Sequence, residues 1–225
     1  NAAQLVLMDS DFSKMPSVVA EGRRVVNNIE KTASLFLTKN IFSLLLALFS
    51  IVNVLSYPLT PSQLTLITMF TIGAPSFVLS LEPNHDKITG TFFGKVFKMA
   101  TPAGLTTFVS VSSLVIFGKV FDVDPDCIST ACTILVGLVG FMILGKVAKP
   151  TNSFHVGLIA VMLLGMAYCF FFQKSFFGIN QISTQAMMLL VVFLIATEGL
   201  FRYVYKFTSL CGRILDRGGK SRKTK

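Results

Sequence analysis

The chain has 225 residues, of which 52% are hydrophobic and 14% charged, and Phe alone occurs 22 times. Average soluble chains hold roughly 45–50% apolar and 25% charged residues, so this composition, with a mean hydropathy of +0.69, excludes a water-soluble domain and defines a membrane protein. The net charge of +9 comes from 20 Lys and Arg against 11 Asp and Glu, and seven of the cations follow Tyr205. The others sit mostly between apolar runs, which is the placement of membrane flanks and not of a nucleic-acid footprint. No CxxC pair occurs: Cys127 and Cys132 are five apart while Cys169 and Cys211 are isolated, so the cysteines read as core fillers.

The polar opening, residues 1–31, has no short apolar core flanked by cations and is not a secretory signal; NAAQLVLMDSDF reads as the interior of a longer protein. From Pro16 to Lys31 the pattern is amphipathic at helical spacing, with Val18, Val19, Val25, Val26 and Ile29 against Glu21, Arg23, Arg24, Glu30 and Lys31. No proline interrupts the chain between Pro16 and Pro58, so one helix is expected to run from this segment into the first apolar span.

Six apolar stretches follow, at about 35–56, 62–81, 99–120, 128–147, 154–172 and 185–205, each near the 20 helical residues that a bilayer core requires. The connections carry turn chemistry, such as YPLTP at 57–61 and DPD at 124–126. Lys and Arg number four in 1–33, three in 82–98, two in 146–153 and seven in 206–225. The alternate loops hold Lys174 against Asp122, Asp124 and Asp126. Cations are retained in the cytoplasm during insertion, so both termini are expected there. GLVG at 137–140 and SVSS at 110–113 offer small residues for close helix packing.

Polar groups inside the spans are the candidates for chemistry. Lys39, Asn40 and Ser43 lie in the first span; the bland reading has Lys39 snorkelling to water and Asn40 bonding a neighbouring helix. In the second, Thr68 and Thr71 share a helical face ahead of Gly73 and Pro75. Pro75 lacks an N–H and disfavours helix at Ala74, so this span reads either as broken, exposing carbonyl oxygens suited to a hard cation, or as kinked with the threonines bonded back to their own helix. Glu198 precedes Arg202 by four residues, the spacing of an ion pair, and His155 reads as a loop-edge residue. No P-loop, nucleophile elbow or dinucleotide fingerprint occurs.

Two stretches together carry a family signature: DSDFSKMPSVVAEGRRVVNNIEKTASLFLTKN at 9–40 and LTPSQLTLITMFTIGAPSFVLSLEPN at 59–84. They resemble the C-terminal part of a P-type cation-transporting ATPase, and are similar to bacterial relatives of the calcium-pump branch, including the calcium-transporting E type. The resemblance implies an all-α membrane protein whose six transmembrane helices are the fifth to tenth of a ten-helix pump. It implies that 1–15 ends a phosphorylation domain, 16–34 is a cytoplasmic stalk helix, 35–205 is the six-helix domain and 206–225 is a basic cytoplasmic tail. Within the site, it places Asn40 and Thr71 at coordinating positions, Ser43 where calcium pumps have Glu, Thr68 where they have Asn and Ile72 where they have Asp. Gly73 and Pro75 fall in the helix that the family unwinds. Lys39 would add positive charge beside the site and modulate it, leaving room for one calcium at most.

The DKTGT, TGE and GDGxND motifs of that family do not occur in this stretch. Mg and ATP, the first four helices and the nucleotide-binding domain are therefore expected in a longer parent protein, lodged in the lipid bilayer of a bacterial plasma membrane. Two other readings of the residues stay open at this point, a stand-alone six-helix channel or secondary transporter and a non-transporting membrane scaffold.

Overall fold

The computed structural model describes residues 12–84, 86–88, 90–148 and 152–222, with side chains through Thr208. The motif residues 9–11 and the N-terminal stretch before them lie outside the described residues, as does most of the basic tail's side-chain detail. Every regular element among the described residues is helical.

A short 3₁₀ turn at Phe12–Lys14 leads into α1, Met15–Val52, one unbroken helix of 38 residues. At 1.5 Å per residue it is about 57 Å long, well beyond the roughly 30 Å of a hydrocarbon core. Pro16 sits at its first turn, where the missing N–H breaks no hydrogen bond. Residues 53–60 then reverse the chain. Thr60 opens α2, Pro61–Thr68, through a capping box with Gln63, and Pro61 takes the first helical position. Gln63 also donates from Nε2 to the Gly178 carbonyl at 3.0 Å, tying this turn to a second loop at the same end of the bundle.

The helix does not break at Gly73 and Pro75. It passes through a π-helical turn, Met69–Gly73, into α3, Ala74–Ser80. The wider turn accommodates the proline: the Ala74 N–H reaches back five residues to Met69 O, and Pro75, which has no N–H to give, follows in the first turn of α3. The local departure from α-helical geometry on the described span is therefore this π turn, with Gly73 at its end and Pro75 just beyond it.

The remaining spans are α4, Phe92–Val120; α5, Pro125–Val147; α6, Ser153–Phe172; and α8, Thr184–Arg222, with the single-turn α7, Lys174–Phe177, between the last two. The DPD turn works as a start signal, since the Asp124 carboxylate accepts from Asp126 N and Pro125 opens α5. Among the described residues six helices are long and apolar enough to cross a membrane, the last of them over Thr184–Thr208. The chain is a multi-pass all-α membrane protein.

α5 is the central helix: 67% of its most apolar window is buried, against 17% for α6 and α8, which turn broad apolar faces outward. Glycines let the helices meet closely. A Cβ on Gly104 would lie 2.6 Å from Ile41 Cγ2, one on Gly137 2.6 Å from Met166 Cε, and one on Gly165 2.6 Å from Phe70 Cε1. Lipid-depth helices gain little from hydrophobic exclusion, so this backbone approach and interhelical hydroxyl bonds hold the bundle. Thr197 Oγ1, 2.7 Å from Ser110 Oγ, is one such bond between α8 and α4. Glu198 and Arg202 do pair, on the exposed face of α8.

Candidate cation site at a π-helical turn

Between α1, the π turn, α4 and α5 lies an intramembrane cavity of about 30 Å³ whose lining includes Thr38, Lys39, Thr68, Thr71, Thr107 and Gly140. That volume holds one water or one small, largely dehydrated cation. The rest of the wall is apolar, from Leu35, Phe42 and Ile67 to Val136 and Ile143.

Three of the hydroxyls have the same chemistry. Thr38 Oγ1 donates to Ser34 O at 2.8 Å, Thr71 Oγ1 to Ile67 O at 2.7 Å, and Thr107 Oγ1 to Ala103 O at 2.9 Å. Each proton is spent on the residue's own helix, so the oxygen lone pairs remain as acceptors. Three oxygens whose protons are committed elsewhere are hard ligands of the kind that bind a hard cation. The back-bonding weighed for the second-span threonines is present at Thr71, and it orders the oxygen without consuming its lone pairs.

The π turn sets the position of Thr71, which is 2% exposed. Gly140 makes room for it: a Cβ there would lie 2.8 Å from Thr71 Cγ2 and 2.9 Å from its Cβ. Pro75 also withholds a donor from the carbonyls one turn earlier, on this same stretch of helix.

Lys39, Thr68 and Thr71 are therefore brought together, with Gly73 and Pro75 shaping the turn beside them. Asn40 and Ser43 are not: Asn40 is exposed on α1, Ser43 is half-buried, and neither lines this cavity. Thr38 and Thr107 join the cavity without having stood out in the sequence. Thr38 was legible as the residue before Lys39 in LTKN; Thr107 lies in an ordinary-looking TTF, and only helix packing reveals it.

A second polar centre ties α1 to the connection after α3. Asn28 Nδ2 donates to Ser80 O at 3.0 Å and Glu82 O at 2.9 Å, and Asn27 Nδ2 reaches Asp86 O at 3.0 Å. Lys31 Nζ lies 2.8 Å from Glu82 Oε2, and His155 Nε2 lies 3.1 Å from Glu82 Oε1. His155 is not a loop-edge residue; it is 1% exposed, and its Nδ1 accepts from Asn152 N at 3.3 Å. Burial works to raise the Glu82 carboxyl, but hydrogen bonds and charge from Lys31 and His155 outweigh it and hold the group below its ordinary value. One carboxylate thus fastens α1, the end of the second span and the start of α6.

A bundle of six membrane helices among the described residues defines the class as a multi-pass membrane protein. No protein-family model matches the chain. It is 38% identical over 182 residues to the calcium-transporting ATPase CtpE of Mycolicibacterium smegmatis, covering 75% of this chain and 23% of that protein. It is 32% identical over 211 residues to the calcium-transporting ATPase CtpE of Mycobacterium tuberculosis, covering 84% and 26%. It is 37% identical over 165 residues to the probable cation-transporting ATPase exp7 of Streptococcus pneumoniae, covering 70% and 21%. The chain is a homologue of the P-type cation-transporting ATPases and spans about a quarter of the length of these relatives.

Proposed function

We propose that this chain is the transport-domain segment of an ATP-driven P-type cation pump, binding a cation in the cavity at the π turn and passing it across the membrane. The observation that carries this reading is the convergence of Thr38, Thr68 and Thr71 on one ion-sized cavity in a chain homologous to cation-transporting ATPases. Calcium is the favoured cargo because two of the relatives carry that name. The cavity supplies hydroxyl oxygens and no carboxylate, so the binding is weak for a divalent ion until other parts of the parent contribute charge. Lys39 opposes a second ion and acts as a resident counter-charge when the cargo leaves.

In this reading the basic end of the bundle faces the cytoplasm of a bacterial cell, the membrane is the plasma membrane, and both termini lie inside. Residues 1–15 close the phosphorylation domain, 16–34 are the stalk, and 206–225 form a cytoplasmic tail. Mg and ATP belong, in this reading, to other parts of the parent. Motion arriving along α1 is delivered through the Asn27, Asn28, Lys31 and Glu82 contacts to the second span, and through that span to Thr68 and Thr71. The exposed Asn40 and the groove lined by Asn28, Ile29, Ser76 and Phe77 are the faces left for the parent's other helices.

The test is cation-stimulated ATP hydrolysis by the full-length parent. Thr71→Val keeps shape and removes the oxygen, and is expected to raise the cation concentration for half-stimulation about tenfold, equivalent to ~1.4 kcal/mol. Asn40→Ala reports on the contribution of the outward face. Unchanged cation dependence in both variants removes this region from the transport site.

A further inference from the structure

At the basic end of the bundle a second cavity, of about 640 Å³, opens between α1, the loop before α4, and the ends of α4, α5 and α8. Five lysines line it, Lys31, Lys87, Lys95, Lys98 and Lys146, against the carboxylates of Glu30 and Asp86. Lys31 is engaged by Glu82 at 2.8 Å and Lys95 by Glu30 at 3.1 Å. Lys146 is held over aromatic rings, its Nζ 3.8 Å from the Phe201 ring centre and 4.9 Å from that of Tyr205. Lys87 and Lys98 are exposed.

A cavity with this excess of cations repels a cation in transit, so it is not an approach to the site at the π turn. Its level is set by what lines it: the first turns of α4, the last turn of α5 and the end of the apolar part of α8. Those are the positions where the spans leave the hydrocarbon and meet phospholipid headgroups. Lys95, Lys98 and Met99 present one face of α4 to the cavity, while Phe93 and Phe97, 71% and 52% exposed, lie on another face of that helix. The volume falls within the roughly 300–1,000 Å³ of small-molecule sites.

We propose that this cavity binds the phosphate-bearing headgroup of an anionic phospholipid, with Lys87, Lys98 and Lys146 facing the phosphate. The site stands apart from the transport reading and requires only that the chain be a multi-pass membrane protein. A bound lipid there would bridge α1 to α4, α5 and α8.

The test uses the full-length parent in nanodiscs of phosphatidylcholine containing a minor fraction of phosphatidylglycerol, with retained lipid counted by native mass spectrometry. Phosphatidylglycerol is expected to be retained over phosphatidylcholine. Each basic residue near an anionic surface contributes about fivefold in affinity, so Lys87→Gln with Lys98→Gln should lower retention more than tenfold. Lys87→Arg with Lys98→Arg should preserve it, which separates lost charge from lost folding. Lys174→Gln, at the opposite end of the bundle, should leave it unchanged. Equal retention in the double Gln variant, or an equal loss in Lys174→Gln, overturns the site. Displacement by inorganic phosphate or glycerol phosphate as effective as by phosphatidylglycerol overturns the lipid in favour of a soluble anion.

Discussion

Gly140→Ala is a sharp test of how the candidate cation site is built. The added methyl carbon would sit 2.8, 2.9 and 3.1 Å from Thr71 Cγ2, Cβ and Oγ1. Two of these distances are shorter than carbon atoms tolerate, so Thr71 must move by roughly half an ångström or more. Its Oγ1 is bonded to Ile67 O at 2.7 Å, and the π turn beneath it cannot slide freely because Pro75 is locked into the next helical turn. Overpacking of this kind costs about 1–3 kcal/mol, and a strained or lost hydroxyl bond adds ~1 kcal/mol. The total, about 2–4 kcal/mol, falls on Thr71, which lines the cavity. In the full-length parent the concentration of cation giving half-maximal ATP hydrolysis should rise at least about tenfold, with a lower midpoint of thermal unfolding. Gly157→Ala is the control, since a Cβ there meets nothing within 4 Å. Its expected effect is a slight stabilisation, up to ~1 kcal/mol from helix propensity. If Gly140→Ala leaves both cation dependence and unfolding as in the parent, the packing of α5 against the π turn does not position Thr71 and the reasoning fails.

Three further outcomes are expected. The folded-state pKa of Glu82 is held below its ordinary value, so its contribution to stability is complete above the ordinary carboxyl range and is lost as pH falls through the lowered value. Thermal unfolding followed against pH should show that acid loss in the parent and a smaller one in Glu82→Gln, which should be less stable near neutrality; identical pH profiles would show that the carboxylate does not fasten the three helices. Lys39→Gln removes a positive charge from the cavity wall and should increase cation affinity about tenfold or more; a decrease, read from the same ATPase titration, would make Lys39 part of the binding apparatus. Thr38→Val and Thr107→Val each remove one cavity oxygen and should weaken cation stimulation several-fold without shifting unfolding by more than ~1 kcal/mol. Equal cation dependence in both would reduce the site to the π turn alone.

The number of spans, their all-helical character and the starts of α2 and α5 follow from the sequence because they depend on local physics. Twenty apolar residues must form a helix in lipid, since a backbone there has no water to bond, and Thr60 and Asp124, each followed by proline, are residue types favoured at the helix starts they cap. The polar residues Lys39, Thr68 and Thr71 stood out for the same reason, being costly at membrane depth. What Gly73 and Pro75 do was not legible. A proline in a span is compatible with a break, a kink or a π turn, and the neighbours choose: here Gly140 admits Thr71 and Gly165 admits Phe70 against the widened helix. The same holds for Thr38 and Thr107, which reach one cavity because Gly104 lets α4 approach α1 to a distance set by Ile41 and the Thr38 carbonyl. His155 looked ordinary because its partner Glu82 lies in a different connection, 73 positions earlier in the chain. Periodicity and capping act between residues a few positions apart, so the sequence determines the helices. Which oxygens share a cavity, which lysines share a pocket and which carboxylate joins three helices depend on how close those helices lie, and the tertiary packing of small residues decides that.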